Sequence, residues 1–170
     1  MKLTAIRLRQ LLHYDPTTGI FVRRIAVGRH GCHKAGTVAG HLNAKHGYVT
    51  IRVDGRSYLA QRLAWLYKTG RWPKKQIDHE DQDRTNDRFK NLREATNTQN
   101  HQNKKTRNVN GFKGISLSNG GRYGDRWYAR IKVGRKTKYL GSFDTKDEAH
   151  LAYAEAAKLH FGEFRCLETK

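Results

Sequence analysis

Apolar residues recur at Leu3, Ile6, Leu8, Leu11 and Leu12, a helical spacing that predicts a short helix over Leu3–Leu12. Asp15-Pro16-Thr17-Thr18-Gly19 then signals a turn, and Ile20-Phe21-Val22 a short strand. Residues 28–46, rich in Gly, His and Lys, read as an irregular basic loop. From Tyr48 to Val53 the period becomes two, with Val49, Ile51 and Val53 on one face and Tyr48, Thr50 and Arg52 on the other. Asp54-Gly55 suits a tight hairpin turn, and Arg56 to Leu59 returns as the partner strand. Leu59, Leu63, Leu66 and Tyr67 restore a helical period that ends near Gly70.

The next stretch predicts a strand at Gln76–His79, a polar loop through the 80s, a second strand at Leu92–Ala95 and a helix over Thr96–Asn103. Thr96 and Gln99 have the spacing of a capping box. Lys104 to Asn110 is basic, polar and without apolar content, and reads as a linker. Beyond it, Gly114–Ser118 reads as a strand. In Arg126–Val133, Trp127, Ala129, Ile131 and Val133 alternate with Arg126, Tyr128, Arg130 and Lys132. Gly134-Arg135 turns the chain and Lys136–Phe143 returns. Thr145–Phe161 reads as a helix with a second capping box, Thr145 and Glu148, an alanine-rich stripe and Gly162 at its end. Such a three-stranded sheet buries its apolar face under one helix and leaves its Arg/Lys/Tyr face open. There is no internal repeat. The expected class is α+β: residues 1–103 a basic N-terminal region and a core, 104–110 a linker, 111–165 a small three-stranded antiparallel sheet packed on one helix.

Charge changes the picture. Lys and Arg outnumber Asp and Glu 34 to 15 over 170 residues, a net charge of +19. Such an excess predicts phosphate contacts and strong salt dependence. The aromatic content supports a folded core, unlike that of most basic tails. Yet Asp78, Glu80, Asp81, Asp83 and Asp87 crowd into one short loop, where they would repel nucleic acid unless a cation stood between. Cys32 and Cys166 are far apart, which argues against a disulfide framework and a cysteine-based zinc site and for free thiols in a reducing compartment. No stretch reads as a signal peptide or a membrane span, so a cytoplasmic protein, or a nuclear one in a eukaryote, is expected.

Phosphodiester hydrolysis needs an activated water, a cation and fixed geometry. Asp78 offers a hard oxygen ligand suited to Mg²⁺, and His79 a base whose unperturbed pKa is near ~6.5. Neighbours on a strand point to opposite faces, so this pair must sit at a strand end to serve one site. A helix starting at Thr96 can bring Asn100 back as a second oxygen ligand, and Asn91 can brace the loop. Glu80, Asp81, Asp83 and Asp87 read as solvated or capping residues. Ile77-Asp78-His79, Asn91-Leu92-Arg93 and Gln99-Asn100 together resemble the HNH endonucleases of the ββα-metal fold, especially phage and intron homing enzymes. The resemblance covers about Arg62 to Asn103. It implies that His79 is the general base, that Asp78 and Asn100 hold one Mg²⁺ or Mn²⁺, that Asn91 orients the loop, and that products carry 5′-phosphate and 3′-hydroxyl ends. His101 follows Asn100 but points about 100° away on a helix, so only one of them is a ligand. Many members carry His at this place, but an Asn variant is familiar among the homing-type ones, which favours Asn100.

Gly114-Ile115, Arg126–Ile131, the Tyr139–Thr145 run, Glu148-Ala149 and Ala152-Tyr153 resemble the ethylene-response-factor (Apetala) DNA-binding domain over about Gly111 to Phe164. That resemblance implies a sheet in the major groove, with Arg126, Tyr128, Arg130, Lys132, Thr137 and Tyr139 facing DNA. Ser116, Ser118 and Arg122 are weaker candidates. The family usually carries arginine at the place of Ser116, so its base preference does not transfer. The N-terminal basic residues either extend the DNA surface or pack on the core, and His30, His33, His41 and His46 fit no metal spacing. The whole reads as a site-specific homing-type DNA endonuclease acting on double-stranded DNA, monomer or homodimer, without membrane or small-molecule cofactor. The alternatives are a non-catalytic DNA-binding regulator and, third, a structural RNA-binding protein.

Overall fold

The computed structural model describes residues 2–28, 33–104, 111–121 and 124–166. Most of the expected linker, together with Cys32, His30 and Arg122, lies outside them. The chain forms two compact units, Met1–Thr96 and Asn97–Lys170, of α+β composition.

In the first unit Thr4 accepts the Arg7 N–H at 3.2 Å and starts helix α1, Ala5–Leu11. Ala5, Leu8 and Leu11 form its buried stripe. The helix stops one residue sooner than the sequence predicts. Leu12 turns extended and opens β1, Leu12–Tyr14, which pairs antiparallel with β2, Phe21–Arg23. A leucine pair at a helix–strand junction satisfies either period, so the pattern did not separate them.

Within the stretch expected to be an irregular loop, the described residues 33–46 hold a strand. β3, His41–Asn43, pairs with β4, Tyr48–Val53, and β4 with β5, Arg56–Leu59. β3 was hidden because it is mostly exposed and carries no apolar alternation. Asp54 and Gly55 both have positive φ, 46° and 79°, as the two-residue hairpin turn demands. Helix α2, Ala60–Thr69, buries Ala60, Leu63, Ala64 and Leu66 and ends at Gly70, whose N–H donates to the Leu66 carbonyl. Leu8, Tyr14, Phe21, Ile51, Leu63 and Leu66 are fully buried at the centre of this unit. Each contributes ~1.5–3 kcal/mol by leaving water. β6, Gln76–His79, pairs antiparallel with β7, Leu92–Ala95, with Asp78 opposite Arg93 and His79 opposite Leu92.

The second unit begins with helix α3, Asn97–Gln102, shorter than the predicted Thr96–Asn103; Asn103 is buried just past its end. The Lys113 ammonium caps that end, donating to the Gln102 and Lys104 carbonyls at 2.6 and 2.7 Å. β8 (Ile115–Gly121), β9 (Gly124–Val133) and β10 (Lys136–Phe143) form an antiparallel sheet in the order β10-β9-β8. Helix α4, Lys146–Phe161, carries the predicted Thr145–Glu148 capping box. Its Ala149, Tyr153 and Ala157 pack on Ile115, Ala129 and Ile131. A bulge between Tyr139 and Gly141 keeps Thr137, Tyr139 and Ser142 opposite Lys132, Arg130 and Tyr128. Cys166 is a buried thiol in no disulfide.

Candidate active site

Asp78 and His79 close β6 and are both buried, 6% and 3% exposed. The strand pairing decides what Asp78 meets. Its cross-strand neighbour Arg93 places Nε and Nη2 each 3.1 Å from Oδ2 of the carboxylate. Glu80 lies 4.0 Å from the same guanidinium with its own side chain mostly in solvent.

The loop from Glu80 to Asn91 is held from inside. Asn91 Oδ1 accepts the Asp81 N–H at 3.1 Å, and its Nδ2 donates to Asp81 Oδ1 at 2.9 Å and to the Asn86 carbonyl at 2.8 Å. The Glu80 N–H donates to the Asn91 carbonyl at 2.9 Å. Asp81 and Asp83 behave as capping residues. Asp81 accepts the Asp83 N–H, and Asp83 accepts both the N–H and the hydroxyl of Thr85. The Thr85 hydrogen bonds hold the Asp83 carboxyl below its ordinary value.

Asp87 is neither solvated nor a cap, which corrects the sequence expectation. It is 2% exposed, and its Oδ1 lies 3.0 Å from His79 Nε2. Burial pushes its carboxyl above the ordinary range, and the His79 hydrogen bond works against that. Its backbone is gripped by the turn between β1 and β2. The Tyr14 hydroxyl donates to the Asp87 carbonyl at 2.7 Å, and the Phe89 N–H donates to the Pro16 carbonyl at 3.1 Å. Gly19, at φ +79°, packs so closely that a Cβ there would meet the Arg88 nitrogen and the Asp87 carbonyl carbon at 2.6 Å. Sequence reasoning could not find Asp87, because its burial depends on residues some 70 positions upstream.

Tyr48 of β4 was also missed. Its ring centroid lies 6.0 Å from that of His79, and the Arg84 guanidinium carbon stands over the Tyr48 ring at 4.9 Å from its centroid. Arg84 is further tied to the His46 carbonyl at 2.8 Å.

The first unit thus gathers Asp78, His79, Asn91, Asp87 and Arg93. Asn100, half-buried on α3, belongs to the second unit, as does the exposed His101. Among the described residues, no three His, Cys, Asp or Glu side chains group as metal ligands. The donors named by the sequence, one carboxylate and one amide oxygen, suit a hard divalent ion that keeps several waters, not a structural zinc.

Residues 58–102 match the family model described as HNH endonuclease. No curated protein and no solved structure matches the chain significantly. The HNH match spans about a quarter of the chain, contains every site residue assigned from the β6–β7 region and α3, and supports a nuclease with DNA as its substrate. It stops short of Tyr14, Gly19 and Tyr48 on one side and of the basic sheet on the other. Among the described residues, no helix is long and apolar enough to cross a membrane.

On the sheet of the second unit, Ala129 and Ile131 are buried against α4, so Tyr128, Arg130 and Lys132 share the opposite face. Arg130, Lys132 and Thr137 are exposed, and Tyr139 is 58% exposed with its ring 6.1 Å from that of Tyr128. Arg126 is already engaged. Its Nε donates to the Ser142 hydroxyl at 2.8 Å, and its Nη1 lies 3.1 Å from Asp144 Oδ1.

Proposed function

We propose that this protein is a homing-type, site-specific DNA endonuclease that hydrolyses one phosphodiester per site. The observation that carries the proposal is the adjacency of a hard-oxygen donor and an imidazole, Asp78 and His79, at the end of β6 beside a loop locked by Asn91. His79 takes a proton from water, the water oxygen bonds to phosphorus, the bond from phosphorus to the 3′ oxygen breaks, and the departing oxygen takes up a proton from solvent. The products carry a 5′-phosphate and a 3′-hydroxyl. Asp78 would hold one Mg²⁺ or Mn²⁺, which when bound neutralises charge on the phosphate and the departing oxygen. Asn91 keeps the loop that frames His79 in one conformation. A single site cuts one strand at a time, so a monomer nicks, and a double-strand break needs a homodimer or two visits.

The face of Tyr128, Arg130, Lys132, Thr137 and Tyr139 positions the duplex, with Arg126 at its border. Exposed cations interleaved with aromatic rings support that role: they match phosphates and sugar edges better than a merely solvated face requires.

Supercoiled plasmid incubated with Mg²⁺, with and without EDTA, tests the proposal. Nicking is expected only where the metal is free. His79→Ala should reduce it to background and leave DNA affinity within about threefold, because the change touches chemistry and not phosphate contacts. Equal loss of binding and cleavage would point to misfolding or a wrong site. A second reading, a non-catalytic DNA-binding regulator, draws on the burial of His79 and on the pairing of Asp78 with Arg93, which a structural pair would also display. Tight DNA binding with no nicking in any divalent metal would select it.

A further inference from the structure

We propose that Asp87 is a positioning residue that fixes the His79 ring in one tautomer, and that the β1–β2 turn holds Asp87 in place for this purpose. The inference rests on the nuclease reading of His79. Nothing in the sequence pattern assigns Asp87 such a role.

Asp87 Oδ1 and His79 Nε2 lie 3.0 Å apart, between two buried side chains. An ionised carboxylate only accepts hydrogen bonds, so with Asp87 ionised, as the His79 hydrogen bond favours, Nε2 carries the hydrogen that is shared. In a neutral imidazole the other nitrogen, Nδ1, then holds the lone pair. The nitrogen that receives a proton from water is therefore Nδ1, and the carboxylate faces the positive charge that forms on the ring. An imidazole left to choose would populate both tautomers, and the wrong one presents a hydrogen where a base is needed.

Burial makes the choice firm. Both side chains are buried, where a low local dielectric strengthens the hydrogen bond between them. The backbone beneath Asp87 is equally constrained. Tyr14 donates to its carbonyl, Pro16 accepts from Phe89, and Gly19 lies against the Asp87–Arg88 peptide. Three separate contacts from one turn converge on the segment that carries a single carboxylate. The N-terminal region, basic and otherwise unassigned, thereby acquires a task at the site as well as a surface.

The experiment uses the full chain labelled with ¹⁵N, and reads the His79 ring by long-range proton–nitrogen correlation. The signals are assigned by their disappearance in His79→Gln. The expected wild-type spectrum has a protonated Nε2 and an unprotonated Nδ1. Asp87→Asn keeps the shape and the burial, but its amide can either accept or donate, so the ring should divide between tautomers. Turnover of nicked plasmid should fall about 100-fold or more, with KM for DNA within about threefold. Asp87→Ala should lose turnover at least as far, and an unchanged amide fingerprint certifies that the variant is folded. Should Asp87→Ala not fold, Asp87→Asn and the wild-type ring spectrum carry the test.

A wild-type His79 protonated on Nδ1 would overturn the proposal, as would folded Asp87 variants that keep wild-type turnover or lose only affinity. Failure of the nuclease reading looks different. An inert wild type whose ring nonetheless shows the expected tautomer would remove the catalytic purpose, while Asp87 would still be seen to hold the ring.

Discussion

Asp78, Glu80, Asp81, Asp83 and Asp87 look interchangeable as letters, and the fold gives them four different lives. Asp78 faces a guanidinium, Glu80 faces water, Asp81 and Asp83 tie the turn, and Asp87 carries an imidazole. Asp78, His79 and Asn91 could be picked out beforehand because their chemistry and spacing lie within some 14 residues. Asp87 could not, since a burial decided by Tyr14 and Gly19 leaves no local trace. The same turn supplies a prediction. Asp15 accepts from the Thr17 hydroxyl and N–H and from the Thr18 hydroxyl, which together lower its pKa from 3.8 to about 2. A folded-state pKa below the unfolded one adds stability above the unfolded value and loses it as pH falls through the folded value. Asp15→Asn should therefore be less stable than wild type at pH 6, and the two should converge between pH 3.8 and about 2. Urea midpoints measured across that range check this, and a gap that stayed constant down to the lowest pH would exclude the hydrogen-bonded carboxylate as its source.

Elements whose signals are local were legible. The β4–β5 hairpin follows from Asp54-Gly55, β9 from strict alternation, and α4 from its capping box. β1 and β3 were not, because the first hides in a helical leucine spacing and the second exists through its pairing with β4. The bulge at Leu140 likewise arises from strand pairing, and it preserves the open face that alternation alone predicts. On that face two arginines stand in different circumstances. Arg130 presents an exposed side chain, whereas Arg126 is spent on Ser142 and Asp144. If the face meets phosphates, Arg130→Ala should weaken DNA affinity about tenfold and shallow the salt slope by about one ion, without altering turnover in saturating DNA. Arg126→Ala should weaken affinity less. Fluorescence anisotropy at several salt concentrations measures both, and identical losses would mean that the internal ties of Arg126 do not matter.

For the molecule as a whole, composition spoke more plainly than any motif. A net charge of +19 on 170 residues makes association with DNA an exchange of ions, whatever the site does afterwards. With about six phosphates neutralised, affinity should drop by ~10³ between 50 and 200 mM salt, linearly on logarithmic axes. A flat response in the same titration would argue that base contacts or shape, and not charge, hold the complex. The grouping of residues into Met1–Thr96 and Asn97–Lys170 was less visible beforehand, because it separates α3 from the strands that precede it in the chain.

Asp78 meets its countercharge inside its own hairpin, in Arg93. A carboxylate balanced in that way does not wait for an added ion before the chain can take its shape. Under the metal-dependent reading proposed above, stripping divalent ions should silence nicking without lowering the melting temperature, and returning them should restore it.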